Sequence, residues 1–141
     1  MKKKAYGRID RHKARLVARG SSQQYGRDYD ETFSPIARMV TLRTIISLAA
    51  SKGWKLCQLD VKNAFFYGEL DRDIFMEQPQ RFASKEYPDY VCRLKKALYG
   101  LKQTPRAWFG KTVQYLNFCG FKSSCVDPSL FVKKTVLGYE T

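Results

Sequence analysis

Apolar residues recur along this chain with two spacings, and those spacings predict most of its elements. Leu42, Ile45, Ile46, Ala49 and Ala50 fall at i, i+3, i+4, i+7 and i+8, the buried face of a helix over 41–53. Thr41 suits its N-cap and Gly53 its C-terminal stop. A second helix is predicted from Thr104-Pro105, a cap residue followed by a first-turn proline, to about Phe118 or Cys119, with Gly120 closing it. Trp108, Phe109, Val113 and Leu116 give this helix its apolar face. Short runs at 54–59, 74–77, 90–94 and 129–134 read as strands, and 63–70 as a short helical turn. Residues 13–19 mix basic and apolar positions in imperfect alternation, which predicts a strand with basic residues on one face. The Gly, Ser, Gln, Asp and Tyr content of 20–35, ending at Pro35, reads as loop, and so do residues 78–89. No internal repeat and no linker divides the chain. Helices and strands alternate, which predicts an α/β (α+β) domain over 13–141 behind a basic, flexible N-terminus at 1–12.

A chain of 141 residues is long enough to bury a core of its own. Charge changes the picture more than length does. The formal net charge is +13, and it is unevenly placed. Residues 1–27 carry nine basic side chains against the single acid Asp10, and 93–111 carry six basic side chains and no acid. Residues 69–77 are acid-rich instead, with Glu69, Asp71, Asp73 and Glu77, and read as a solvated loop. Segregation of this kind favours a positive groove for an acidic partner, most simply nucleic acid, over an evenly solubilising coat. A basic face completed by further polypeptide is the alternative.

Cys57, Cys92, Cys119 and Cys125 show no Cys-x-x-Cys spacing, and His12 is the only histidine, so no zinc site is expected. Cys57 and Cys92 sit in apolar runs and read as small buried thiols. Tyr25, Tyr29, Phe33 and Trp54 read as packing residues rather than base-stacking platforms. Asp28, Asp30 and Glu31 lack EF-hand spacing and read as turn chemistry. Lys2–Lys3 and Lys4 lead into polar sequence, so no signal peptide is expected, and no run is long enough to span a membrane. An intracellular setting follows as the expectation.

One carboxylate stands out. Asp60 ends the apolar run at 54–59 and is followed by Lys62, Asn63 and the pair Phe65-Phe66. An acid at a strand end most often caps the helix that follows. Surrounded by phosphate-binding cations, it also suits magnesium-dependent phosphoryl transfer, in which oxygen ligands and substrate phosphates share the ion. Two ions about 4 Å apart clamp the attacking and leaving oxygens, and one carboxylate cannot hold both.

Five ordered segments carry a specific resemblance. They are Lys-Ala-Arg-Leu-Val-Ala-Arg-Gly (13–20), Asp-Tyr-Asp-Glu-Thr-Phe-Ser-Pro (28–35), Gln-Leu-Asp-Val-Lys-Asn-Ala-Phe (58–65), Tyr-Gly-Leu-Lys-Gln-Thr-Pro-Arg-Ala-Trp (99–108) and Asp-Pro-Ser-Leu-Phe-Val-Lys (127–133). Together they resemble the reverse transcriptase domain of copia-type LTR retrotransposons, over most of the chain. The resemblance implies a right-hand polymerase fold, here the fingers and the front half of the palm. Its reaction is magnesium-dependent transfer of nucleotides from dNTPs to a primer on an RNA/DNA template.

Residue by residue, Asp60 matches the first catalytic, metal-binding aspartate, and Val61 would offer its carbonyl to the Mg2+. Asn63 and Ala64 would lie beside the incoming nucleotide, and Phe65 matches the bulky residue that excludes a 2′-hydroxyl. Lys13 and Arg15 match the basic fingers strand that grips the triphosphate, without a choice between them. Tyr99 and Gly100 match the turn lining the nucleotide pocket. Lys95, Lys96, Lys102 and Arg106 are candidates for template phosphates. The family pattern also contains a paired Asp-Asp on a later hairpin, and no Asp-Asp pair occurs in these 141 residues. The chain alone is therefore expected to be inactive, with an unpaired strand edge at 129–134. The remainder of a polyprotein (thumb, ribonuclease H, integrase) would be its partner. A non-catalytic basic module that binds nucleic acid, or a transposon remnant, is the alternative.

Overall fold

The computed structural model describes residues 2–3, 5–12, 14–135 and 138–140. Its architecture is mixed α/β, with two helices and three small antiparallel sheets among the described residues. Strands β1 (Lys2–Lys3) and β2 (Ile9–Arg11) pair near the N-terminus, where the sequence predicts no element. Helix α1 covers Met39–Lys52. A 3-10 turn at Ala64–Tyr67 follows. Strands β3 (Phe75–Glu77) and β4 (Val91–Arg93) form a hairpin in which Met76 faces Cys92. Helix α2 (Thr104–Phe118) leads into β5 (Lys122–Ser123), β6 (Phe131–Thr135) and β7 (Gly138–Glu140), in that order across one sheet.

The core is small. Ala18, Ile74, Leu98 and Leu101 are buried, with Phe66, Leu70, Met76 and Leu94 packed around them. These residues come from four separate segments, so the core forms only when those segments meet. The meeting point is a backbone approach. The Ala18 N–H donates to the Tyr99 carbonyl at 2.7 Å. A Cβ on Gly20 would lie 1.9 Å from the Gly100 carbonyl oxygen, and one on Gly100 would lie 2.1 Å from the Ala18 carbonyl oxygen. Gly100 also has φ +93°, a conformation that L side chains rarely adopt.

Helix α2 follows its sequence pattern closely. Its apolar face is half-buried, with Tyr67 and Trp108 ring centroids 6.2 Å apart and Phe109 and Phe131 6.5 Å apart. Its start differs. Gln103 is the N-cap residue, and Thr104 is the first helical residue. The buried Thr104 hydroxyl donates to the Leu98 carbonyl at 2.7 Å, which satisfies a polar group that could not otherwise be buried there. The end of α2 closes as a Schellman motif, Phe121 N–H to Leu116 carbonyl and Gly120 N–H to Asn117 carbonyl. Helix α1 ends the same way at Gly53.

Several sequence expectations are corrected. Helix α1 begins at Met39, so Thr41 lies inside its first turn and is not the cap. Of the face predicted to be buried, only Ala49 is buried, and Leu42, Ile46 and Ala50 are exposed. Periodicity marks a face able to bury, but burial needs a neighbour. The same reason removes the strand at 54–59. Residues 55–62 make no backbone hydrogen bond among the described residues, and Leu59 is 91 % exposed. A strand exists only as part of a ladder. Residues 14–19 likewise form no strand. Cys57 is exposed and Cys92 only half-buried, and Tyr25, Phe33 and Trp54 are exposed rather than packed. The strand edge at 129–134 is not left open, because β6 pairs with β5 on one side and β7 on the other.

Asp127 fixes the β5–β6 loop. It is 3 % exposed, and its Oδ1 accepts the Ser129 N–H at 3.0 Å and the Ser129 hydroxyl at 2.6 Å. The Ser129 hydroxyl is the main cause holding its carboxyl down at about 2, against an ordinary 3.8, with Thr41 and the Arg38 charge at the start of α1 acting the same way. Oδ2 itself closes no hydrogen bond of good geometry. A lowered carboxyl contributes stability that is present above about pH 4 and is lost as pH falls toward 2. Acid unfolding followed by circular dichroism should therefore show a loss of stability through this window, and Asp127→Asn should flatten it. The glycines supply a second check. Gly20→Ala should destabilise by about 1–3 kcal/mol, since the clash is with backbone. Gly110→Ala, in open space inside α2, should stabilise by about 0.5–1 kcal/mol. Denaturant midpoints of the two variants check both signs.

Candidate functional site

The backbone approach at Gly20 and Gly100 also assembles the candidate site. Tyr99 sits on that turn, half-buried, and three side chains gather on its ring. Phe65 lies with its centroid 4.9 Å away, and Phe66 meets it edge-on at 5.7 Å. The Arg15 guanidinium carbon stands 5.4 Å from the ring centroid. A cation over an aromatic face is attracted by the ring quadrupole, by about 0.5–1 kcal/mol when exposed. Arg15 has no carboxylate partner among the described residues. Its charge is thus positioned by an aromatic ring and left open to an anion.

Local chemistry explains why Phe65 and Phe66 can both reach Tyr99. Asn63 adopts the left-handed conformation, φ 54°, which asparagine tolerates better than most residues. Its carbonyl accepts the Phe66 N–H at 2.9 Å and starts the 3-10 turn. Gly68 then runs against Ala97 and Ala107, and its carbonyl accepts the Ala97 N–H at 3.0 Å. The aromatic pair is therefore pinned at both ends of the turn, with Ala64 half-buried within it.

Arg15, Phe65, Tyr99 and Gly100 are brought together; other candidates are not. Lys13 lies outside the described residues. Asp60 and Val61 are exposed on the irregular segment after α1, and Asp60 has no hydrogen bond or ion pair among the described residues. Among the described residues, no three His, Cys, Asp or Glu side chains gather closely enough to hold an ion. A lone exposed carboxylate does not fit a two-ion magnesium site, and no metal-dependent step follows from these residues by themselves.

The basic candidates divide in two. Lys95 and Lys96 are exposed. Lys102 is half-buried, its Nζ 3.3 Å from the Gln23 carbonyl, 3.1 Å from the Tyr29 hydroxyl and 4.7 Å from the Tyr29 ring centroid. Arg106 pairs with Glu31 and donates to the Phe33 carbonyl at 3.4 Å. The acid-rich run at 69–77 is ion-paired rather than merely solvated. Glu69 pairs with Lys111, whose hydrogen bond and charge hold its carboxyl below the usual range with a smaller contribution from Lys96. Asp73 pairs with Arg93 at 2.6 Å, and Asp71 lies 3.8 Å from Arg72.

Two residues in this region escape sequence reasoning. Gln103 is buried, and its amide donates to the Asp28 carbonyl at 3.1 Å and accepts from Gln23 at 3.0 Å. Arg72 pairs with Asp30 and donates to the Arg27 carbonyl at 3.1 Å. A lone arginine inside an acid-rich run was the available signal for Arg72. Nothing in the sequence marks Gln103, because glutamine is ordinarily exposed.

The family is clear from comparison. The model of the reverse transcriptase (RNA-dependent DNA polymerase) family matches residues 1–138, and the chain belongs to that family. Within it, the chain is of the copia type found in transposon polyproteins. It is 50 % identical over 126 residues to the retrovirus-related Pol polyprotein from transposon RE2 of Arabidopsis thaliana, covering 89 % of this chain and 9 % of that protein. It is 43 % identical over 134 residues to the Pol polyprotein from transposon TNT 1-94 of Nicotiana tabacum, covering 95 % of this chain and 10 % of that protein. The Ty1-BL Gag-Pol polyprotein of Saccharomyces cerevisiae is 35 % identical over 138 residues, covering 89 % of this chain and 8 % of that protein. The chain thus spans about a tenth of the curated relatives it matches. No solved structure matches it.

The Tyr99 ring has a measurable weight. Tyr99→Ala removes two aromatic contacts and the seat of Arg15, and should cost about 2–3 kcal/mol, while Tyr99→Phe should cost well under 1 kcal/mol. Urea unfolding of the two variants checks the difference.

Proposed function

We propose that this chain forms the fingers and the front half of the palm of a right-hand RNA-directed DNA polymerase, working on dNTPs and a primer on an RNA/DNA template. The single observation that carries the reading is the Arg15–Tyr99–Phe65 assembly on the glycine approach. Arg15, held over the Tyr99 ring, supplies an open cation for a triphosphate, and Lys13 stays beside it in sequence as the second candidate. Phe65, its ring backed by Tyr99, presents a fixed bulky edge to a sugar and so disfavours a 2′-hydroxyl. Gly100 keeps side-chain atoms out of the turn below them. Asn63 and Ala64 flank the nucleotide.

Lys95 and Lys96 are free to meet template phosphates, whereas Lys102 and Arg106 do so only by leaving their present partners. Asp60 would offer one carboxylate, and Val61 its carbonyl, to a Mg2+ site that these residues do not complete. The rest of a Pol polyprotein, including thumb, ribonuclease H and integrase, is the natural partner. The second reading is a non-catalytic basic module that binds nucleic acid, and the net charge of +13 favours it.

Primer extension on an RNA template with dNTPs and magnesium tests both readings when run beside Asp60→Ala. The 141-residue chain should extend nothing, yet bind template with an affinity that falls steeply with salt. Extension lost in Asp60→Ala would show that another carboxylate completes the site. Failure of both extension and binding would defeat the nucleic-acid readings altogether.

A further inference from the structure

Residues 21–35 are attached to the body of the protein almost entirely by polar contacts. Arg72 holds Asp30 and the carbonyls of Gly26 and Arg27, the latter two at 3.5 and 3.1 Å. Arg106 holds Glu31 and the Phe33 carbonyl. Lys102 holds the Gln23 carbonyl and Tyr29, and Gln103 holds the Asp28 carbonyl. No apolar side chain of this segment is buried; Tyr25 is 76 % exposed and Phe33 82 % exposed. The segment also folds on itself, with the Gly26 N–H bonded to the Tyr29 carbonyl and the Asp28 carboxylate accepting the Gln24 N–H at 2.7 Å.

We propose that residues 21–35 are an electrostatic strap that covers the cations of Arg72 and Arg106 and is displaced when a polyanion takes them. Asp30 and Glu31 sit where phosphates would sit, on two guanidiniums that suit phosphate as well as carboxylate. The ion pairs are half-exposed, with side chains 27 % to 58 % accessible, so each is weak and screened by salt. A segment with little buried apolar surface opens at low cost. Its opening uncovers the two guanidinium charges that Asp30 and Glu31 had neutralised. The strap is thus a built-in competitor that raises the threshold for weak or sparsely charged anions. This inference stands on the contacts alone and does not rest on the polymerase reading.

The test compares two doubly neutralised chains of equal net charge, binding single-stranded oligouridylate at low salt. Asp30→Asn with Glu31→Gln releases the strap. Glu86→Gln with Asp89→Asn removes two charges that have no ion pair. The strap variant should bind about threefold to tenfold more tightly than the control variant. Amide hydrogen exchange supplies the second measurement, on the wild-type chain. The Lys102 amide, which donates to the Gln23 side-chain oxygen at 2.8 Å across the contact between strap and body, should exchange several-fold faster with oligouridylate bound than without it. Equal affinity in the two variants, or a Lys102 amide that keeps its protection in the bound wild-type chain, would overturn the proposal.

Discussion

The close approach of two backbone turns governs this structure. Gly20 and Gly100 each leave room for the other's chain, and the Ala18–Tyr99 hydrogen bond crosses between them. The small core depends on that approach, because Ala18 reaches Ile74, Leu98 and Leu101 only when the turns meet. The candidate nucleotide side depends on it too, because Tyr99 lies on one turn and Arg15 just before the other. Stability and the candidate site therefore share one constraint. A change that loosens the approach removes apolar burial and the seat of the Arg15 cation together, and the two losses cannot be separated by mutation at the glycines themselves.

Charge is organised around the same frame. Arg72, Arg93, Arg106 and Lys111 are tied to carboxylates within the chain. Arg15, Lys95 and Lys96 are exposed and have no ion pair among the described residues. The surplus of positive charge is thus not a uniform coat. Part of it fixes loop positions and part of it is presented outward. Counting basic residues overstates what a polyanion meets on first encounter.

Sequence reasoning read the elements that carry their own signals. Helix α2, the β3–β4 hairpin, the 3-10 turn and β6 all lie where local pattern places them, because caps, proline and alternation act within a few residues. The five segments shared with copia-type reverse transcriptases identified the family before any geometry. What stayed illegible depends on distant partners. The apolar face of α1 and the run at 54–59 look buried in sequence and are exposed in the structure, since burial is a property of the neighbour as much as of the residue. The burial of Gln103 and Asp127 was illegible for the opposite reason: polar side chains that are expected outside find partners inside. The joining of Arg15 to Tyr99 spans more than eighty positions, and no local pattern could suggest it.

The small core has a calorimetric consequence. Heat-capacity change on unfolding follows the apolar surface that folding hides, ordinarily about 12–15 cal/mol/K per residue. Here much of that surface, on α1 and along 54–61, already faces water in the folded chain. Its unfolding should absorb little extra heat capacity, and its stability should vary unusually gently with temperature. A chain built this way melts over a broad range, and any polypeptide that covered α1 would both steepen and sharpen that curve.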